Sequence, residues 1–149
     1  TGKTLFPTRR SSDLQGVPPH DLGVKNGRLK PPAPTPNSVS SQTQLYPGHP
    51  QAQYAAIAPL DYQGDAQAAM AKLVRVVQAQ PDTVIVSQTD DYLYAQSSTR
   101  LLRFTDDIEF WLDTRQRTIQ VRSASRMGRH DLGVNRQRIE TIRVQLNAP

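Results

Sequence analysis

Ten of the chain's twelve prolines lie at or before Pro59, and this lopsided placement constrains the fold more than any other feature. Proline fixes φ, has no N–H to donate, and is excluded from helix interiors and central strands. A run such as Pro31-Pro32-Ala33-Pro34-Thr35-Pro36-Asn37 therefore favours extended, polyproline-like backbone. From Leu60 onward only Pro81 and Pro149 interrupt, and apolar residues recur at regular spacing. The sequence predicts an extended arm over residues 15–59 and a single α+β domain over residues 60–148. At 149 residues in all, two domains would each be too small to bury a useful core. The opening TGKTLFPTRRSSDL follows neither design. Its string TLFPTRRSSDL reads as a translated sequencing-adapter or assembly artefact, so residues 1–14 are taken as non-native and any original targeting signal as lying outside this chain.

Within the domain the periodicity is legible. Asp65 is a good N-cap for a helix over residues 66–79, where Ala66, Met70, Leu73 and Val77 form one stripe and Pro81 closes the segment. Four strands follow, near residues 83–88, 92–99, 107–113 and 118–123. The third alternates most cleanly, with Ile108, Phe110 and Leu112 inward and Glu109, Trp111 and Asp113 outward. Residues 101–104 either extend the second strand or form their own, and residues 53–59 offer one further edge strand. A last helix begins near Asn135 and carries Ile139, Ile142 and Leu146 on one face. Short connections favour antiparallel pairing. The expected architecture is a two-layer α+β sandwich: about four antiparallel strands with two helices on one face.

Charge narrows the function classes. The net charge is +5 and the isoelectric point about 9.9, which invites a nucleic-acid reading. However, residues 1–59 hold six Lys/Arg against two Asp/Glu, while residues 60–149 hold twelve against eleven. The domain is nearly neutral, so it lacks the concentrated basic footprint that phosphate-backbone binding needs. Arm-mediated nucleic-acid binding stays as a disfavoured alternative. No run of about 18 apolar residues is present to span a membrane. The absence of cysteine removes disulfides, thiolate metal sites and a cysteine nucleophile. Gly2-Lys3-Thr4 matches only the tail of a phosphate loop, with no preceding strand, and reads as coincidence.

Several stretches together carry a resemblance. These are Leu22-Gly23-Val24 with Gly27-Arg28-Leu29-Lys30-Pro31, Pro36-Asn37 with Val39-Ser40-Ser41-Gln42, Asp91-Tyr92-Leu93-Tyr94, Arg103 through Phe110, Val121 through Arg126, and Asp131-Leu132-Gly133-Val134-Asn135-Arg136. The chain resembles the bacterial and plastid family catalogued as domain of unknown function 1499, over about residues 20–147. The resemblance implies no established activity. It implies a periplasmic or membrane-associated setting, since relatives often carry an N-terminal signal or anchor. Similar sequences also carry cysteines where this chain has Pro32 and Ser38, which implies an arm-pinning disulfide that is lost here.

The leading site candidate is the arginine-rich stretch running from the last strand into the last helix: Arg122, Ser123, Ser125, Arg126, Arg129, Asn135 and Arg136. Arg forks bind carboxylate or phosphate bidentately. A helix N-terminus near Asn135 would add unpaired N–H groups, and Gly133 would allow close approach. Arg122, Ser123, Ser125, Arg126, Asn135 and Arg136 are thus the expected anion site. The competing account pairs Arg122 and Arg126 with Asp106, Asp107, Glu109 and Asp113 as a structural network. That acidic cluster lacks a calcium-loop pattern and reads as a solvated, salt-bridged face. Ser123 or Ser125 with His130 and Asp131 has triad composition but no nucleophile elbow, and His20, His49 and His130 lack zinc spacing. Tyr92, Tyr94 and outward Trp111 suit a sheet as well as an aromatic surface. The expected function is a non-enzymatic accessory or binding domain of the bacterial envelope, engaging an anionic small molecule or protein partner without metal or cofactor. A small hydrolase-like enzyme using Asp107, His130 or a serine is the alternative.

Overall fold

A computed structural model describes residues 17–99 and 104–149. The opening fourteen residues and residues 101–103 lie outside that range. In chain order the elements are β1 (Ser38–Ser40), a 3₁₀ turn (Thr43–Leu45), α1 (Ala52–Ala55), β2 (Leu60–Asp61), α2 (Ala66–Gln78) and β3 (Thr83–Gln88). Then come β4 (Tyr92–Thr99), β5 (Phe104–Asp113), β6 (Thr118–Ser125) and α3 (Val134–Leu146). The chain is α+β, with one antiparallel sheet in the order β1-β6-β5-β4-β3 and β2 also on β6.

Local chemistry explains the central elements. Asp65 caps α2 by accepting from the Ala68 N–H at 2.8 Å, satisfying a donor the first turn would otherwise leave open. The β5–β6 turn is built on Asp113, whose Oδ1 accepts from the N–H groups of Arg115 and Gln116 at 3.2 and 3.3 Å. Such an Asx turn is a standard device for reversing a strand. In register, Leu93, Phe110 and Val121 lie side by side across β4, β5 and β6. They join Ile108, Leu112 and Ile119 and the helix residues Met70, Leu73, Val77, Ile139, Ile142 and Leu146 in one buried cluster. Both long helices therefore bury their stripes on the same sheet face.

The sheet and the helix set are larger than the sequence predicts. Among the described residues six strands form where about four are expected, and three helices where two are. Of the two extra strands, β1 comes from the proline-rich arm and β2 opens the expected domain, and they share one edge. Ser38–Ser40 pairs with Arg122, Ser123 and Ala124 of β6, while Leu60–Asp61 pairs with Ile119 and Thr118 further along it. The added edge strand expected over residues 53–59 does not form there. Ala52–Ala55 is a helical turn instead, and only Ala56 makes a bridge, to Ser40. The turn is held by its own backbone instead, the Ala52 N–H donating to the His49 carbonyl at 3.1 Å and the Ala55 N–H to the Gln51 carbonyl at 2.8 Å. Phe104 opens β5 rather than extending β4.

The sheet face away from the helices is also covered. Leu29 is buried there at 1% exposure, its N–H bonded to Gln42 Oε1 at 2.7 Å and its carbonyl to the Tyr46 hydroxyl at 2.5 Å. Gln42 reaches back to the Gly27 carbonyl at 3.1 Å. The residues in the twenties and thirties are thus tied to the 3₁₀ turn and laid over β5 and β6. This layer reverses the expected environment of Glu109. Predicted to face solvent, it is 0% exposed, because the arm covers the side of the sheet that strict alternation assigns to water.

Candidate functional site

The arginine-rich stretch is divided by the sheet itself. Successive strand residues point to opposite faces, so Arg122 falls on the arm side and Ser123 on the helix side. On the helix side, the Ser123 hydroxyl donates to Asn135 Oδ1 at 2.6 Å. The Asn135 amide donates to Ser125 Oγ at 3.0 Å, to Asp131 Oδ2 at 2.9 Å and to the Asn37 carbonyl at 3.2 Å. Arg138, which the sequence reading did not single out, donates to Asn135 Oδ1 at 3.0 Å and Asp106 Oδ2 at 2.6 Å. Asn135 is fully buried and locks α3 to β6 and to Asn37, just before β1. This is a hub of structural hydrogen bonds.

The N-terminus of α3 is occupied by the chain's own carboxylate. Asp131 accepts from the Gly133 N–H at 2.9 Å and the Asn135 N–H at 3.3 Å. The Tyr54 hydroxyl also donates to it. Burial alone would raise the Asp131 pKa, but these hydrogen bonds hold it below the usual carboxylate range. The same arrangement pushes the Tyr54 hydroxyl up to about 12, through burial first and Asp131 second. With Asp131 so engaged and His130 Nδ1 accepting from the Leu132 N–H at 2.9 Å, Ser123, His130 and Asp131 do not form a hydrogen-bonded relay. Arg136 is spent on backbone, donating to the carbonyls of Tyr54 and Ala56 at 2.6 and 2.8 Å.

Arg122 and Arg126 lie together on the other face. Arg126 forms a two-pronged pair with Asp107 at 2.9 and 3.0 Å, with side-chain exposures of 3% and 2%. The Tyr94 hydroxyl donates to the same carboxylate at 2.5 Å. Burial works against the Arg126 charge, yet Asp107 more than compensates and leaves its pKa raised. Arg122 is different. It is 3% exposed, its Nε donates to the Pro31 carbonyl at 3.0 Å, and its two terminal nitrogens reach no protein acceptor among the described residues. Burial pushes its pKa down, partly offset by Glu109, although a guanidinium stays charged.

Glu109 sits opposite Arg122 in the β5–β6 register, but the two form no ion pair. Glu109 Oε2 accepts from the Tyr92 hydroxyl at 2.6 Å and from the Gly23 N–H at 2.7 Å. Its Oε1 is buried and has no partner among the described residues. Burial raises the Glu109 pKa, with the Tyr92 and Gly23 hydrogen bonds working in the opposite direction. A guanidinium and a carboxylate thus lie next to each other in a low-dielectric setting, each with bonding capacity left over.

Arg122 opens onto a cleft of about 380 Å³ between the arm and the sheet. Its arm wall is Pro19, Asp21 and residues 30–34; its sheet wall is Asp107, Arg122, Ala124, Ser125 and Arg126. At its rim Lys30 pairs with Asp21 at 2.8 Å, and that hydrogen bond lowers the Asp21 pKa. Of the six residues expected to form an anion site, Arg122, Ser125 and Arg126 border this cleft, whereas Ser123, Asn135 and Arg136 are engaged in the contacts described above.

The family described as protein of unknown function (DUF1499) matches residues 28–146. The chain belongs to that family. No curated protein and no solved structure matches it. The DUF1499 match begins inside the arm, so it takes in residues 30–34, β1 and the whole sheet wall of the cleft. Those arm residues escaped the sequence reading because proline-rich backbone carries no periodicity from which a buried face could be read. The only signal for them lay in the resemblance, whose quoted stretches include Gly23 and Pro31.

Proposed function

We propose that this domain is a non-enzymatic binding module that receives an anionic group in the cleft between its N-terminal arm and its sheet. Arg122 is the receiving residue. The observation that carries this reading is a buried guanidinium whose terminal nitrogens have no protein acceptor, at the wall of a cleft large enough for more than water. Those nitrogens are not among the fully enclosed polar atoms, so they face the cleft and whatever fills it. Native proteins retain such groups where something else completes them. The envelope setting rests on the family resemblance alone.

The test is thermal denaturation and calorimetric titration of the full chain with acetate and orthophosphate at fixed ionic strength. An anion that binds only the folded state stabilises it by about 2.7 kcal/mol at a hundredfold excess over Kd. Arg122→Lys keeps a charge but loses the planar fork and is expected to weaken the effect; Arg122→Met is expected to abolish it. A wild-type protein indifferent to both anions would sink the reading.

A further inference from the structure

We infer that the anion taken by this cleft is a monocarboxylate with a compact apolar body, and not a phosphate. This rests on the anion-binding reading above and specifies its ligand. Three features of the cleft lead to it.

The first is charge. The lining holds three cations, Lys30, Arg122 and Arg126, and two carboxylates, Asp21 and Asp107. Lys30 is paired with Asp21, and Arg126 with Asp107. Within the lining one positive charge is left over, on Arg122; Glu109, beside it in the β5–β6 register but outside the lining, makes no ion pair with it and is held by Tyr92 and Gly23. A carboxylate carries a single negative charge, which this one cation can balance. A phosphate monoester carries about −1.5 to −2 at neutral pH and would leave excess negative charge beside the buried Asp107.

The second is the donor supply. Phosphate has three strong acceptor oxygens, and phosphate sites commonly surround them with backbone N–H groups, often at a helix N-terminus. Here Pro19, Pro31, Pro32 and Pro34 make up much of the arm wall, and proline has no N–H. The Ala33 N–H is already given to Ser38 Oγ at 2.9 Å, and the Ser125 N–H to the Asn37 carbonyl at 3.0 Å. What remains is the end of one planar fork, besides the spare N–H groups of the Lys30 ammonium, and two coplanar carboxylate oxygens match the fork.

The third is the wall itself. Proline rings, Ala33 and Ala124 make the lining more apolar than polar, the Pro31 carbonyl being taken by Arg122. A small apolar body buried against them gains roughly 25 cal/mol per Å² of area removed from water. A bare, strongly hydrated anion gains none of that.

Benzoate, phenyl phosphate and benzamide share one ring and differ in head group, so they separate these contributions. Each is titrated calorimetrically into the full-length protein at fixed pH and ionic strength, and repeated on Arg122→Met and on Ala124→Leu. The second variant fills the cleft while leaving the guanidinium in place. The expected result is saturable benzoate binding to the wild type, with phenyl phosphate weaker by about tenfold or more, equivalent to about 1.4 kcal/mol. Benzamide should bind weakly, and both variants should lose benzoate. Phenyl phosphate binding as well as benzoate, with loss in Arg122→Met, overturns the carboxylate inference and leaves the anion site standing. Benzamide matching benzoate, or no binding by either anion, overturns both. Undiminished benzoate binding in a folded Ala124→Leu protein overturns the placement in this cleft.

Discussion

The Asp107–Arg126 pair offers the sharpest quantitative test of how the arm side of the sheet is built. Both side chains are almost completely buried, at 2% and 3% exposure, and the pair is two-pronged at 2.9 and 3.0 Å. Asp107→Asn keeps the volume and an acceptor for the Tyr94 hydroxyl while removing the charge, so Arg126 is left as a buried cation without its carboxylate. Breaking a buried pair from one side costs about 3–5 kcal/mol, against about 5–15 kcal/mol of total stability for a typical domain. An exposed pair would cost about 0–1 kcal/mol, so the two situations are well separated. The measurement is urea denaturation followed by circular dichroism on wild type, Asp107→Asn, Arg126→Met and the double variant. Each single variant is expected to lose about 3 kcal/mol or more. The double is expected to lose clearly less than the sum, because removing both charges leaves none stranded. Single losses below about 1 kcal/mol, or strict additivity, would refute the claim that the arm desolvates this face.

Glu109 controls a pH dependence of definite sign. Burial raises its folded-state pKa, so the stability it contributes is complete below the ordinary carboxylate range and is lost as pH rises through the folded value. Glu109→Gln is expected to remove that alkaline-side loss, so the wild-type advantage over the variant should shrink as pH rises in denaturation curves taken across the range. Asp131, whose pKa is lowered, works in the opposite sense: Asp131→Asn should flatten the loss of stability on acidification. Gly128 has φ of +91°, and a Cβ there would lie 2.8 Å from the Phe104 ring. Gly128→Ala is therefore expected to cost about 1–3 kcal/mol in the same assay. Paired Pro32→Cys and Ser38→Cys changes should form a disulfide under oxidising conditions. By loop-closure entropy so short a loop should stabilise by about 2 kcal/mol relative to the reduced protein, and a bridge that fails to form would reject the implied pairing.

The parts of this fold that were legible in the sequence are those where side-chain period follows burial. The Met70-Leu73-Val77 stripe, the Ile108-Phe110-Leu112 alternation and the Ile139-Ile142-Leu146 face all enter the core as their spacing predicts. The reading fails where burial is imposed from outside the element. Nothing in β5 itself indicates that Glu109 and Asp107 are covered, since a polar residue on the second face of an antiparallel strand ordinarily meets water. The covering segment carries no period to announce it. The candidate site shows the same division. Clustering in sequence gathered Arg122, Ser123, Asn135 and Arg136, but the two-residue repeat of β6 sends the first two to opposite faces, and the helix end expected to await an anion already holds Asp131. Pro31 and Lys30, distant in sequence, turn out to be neighbours of Arg122.

The cleft and the prolines are one physical fact. An ordinary strand or helix laid over β5 and β6 would bring N–H groups and packed side chains down onto the sheet, and would satisfy Arg122 and Glu109 directly. Backbone at Pro31, Pro32 and Pro34 has no N–H to offer and cannot tighten into a helix, so it approaches chiefly through carbonyls. That is the contact seen: the Pro31 carbonyl takes the Arg122 Nε, the Pro32 carbonyl meets His49 Nε2 at 2.9 Å, and among the described residues the backbone donor to the Glu109 carboxylate is Gly23, outside the proline run. A carbonyl-rich cover can neutralise part of a guanidinium but offers nothing to a second anion. It therefore leaves a cationic fork facing an apolar wall, with space between them. The residues that make the arm unable to fold as a regular element are the ones that keep the sheet beneath it from closing.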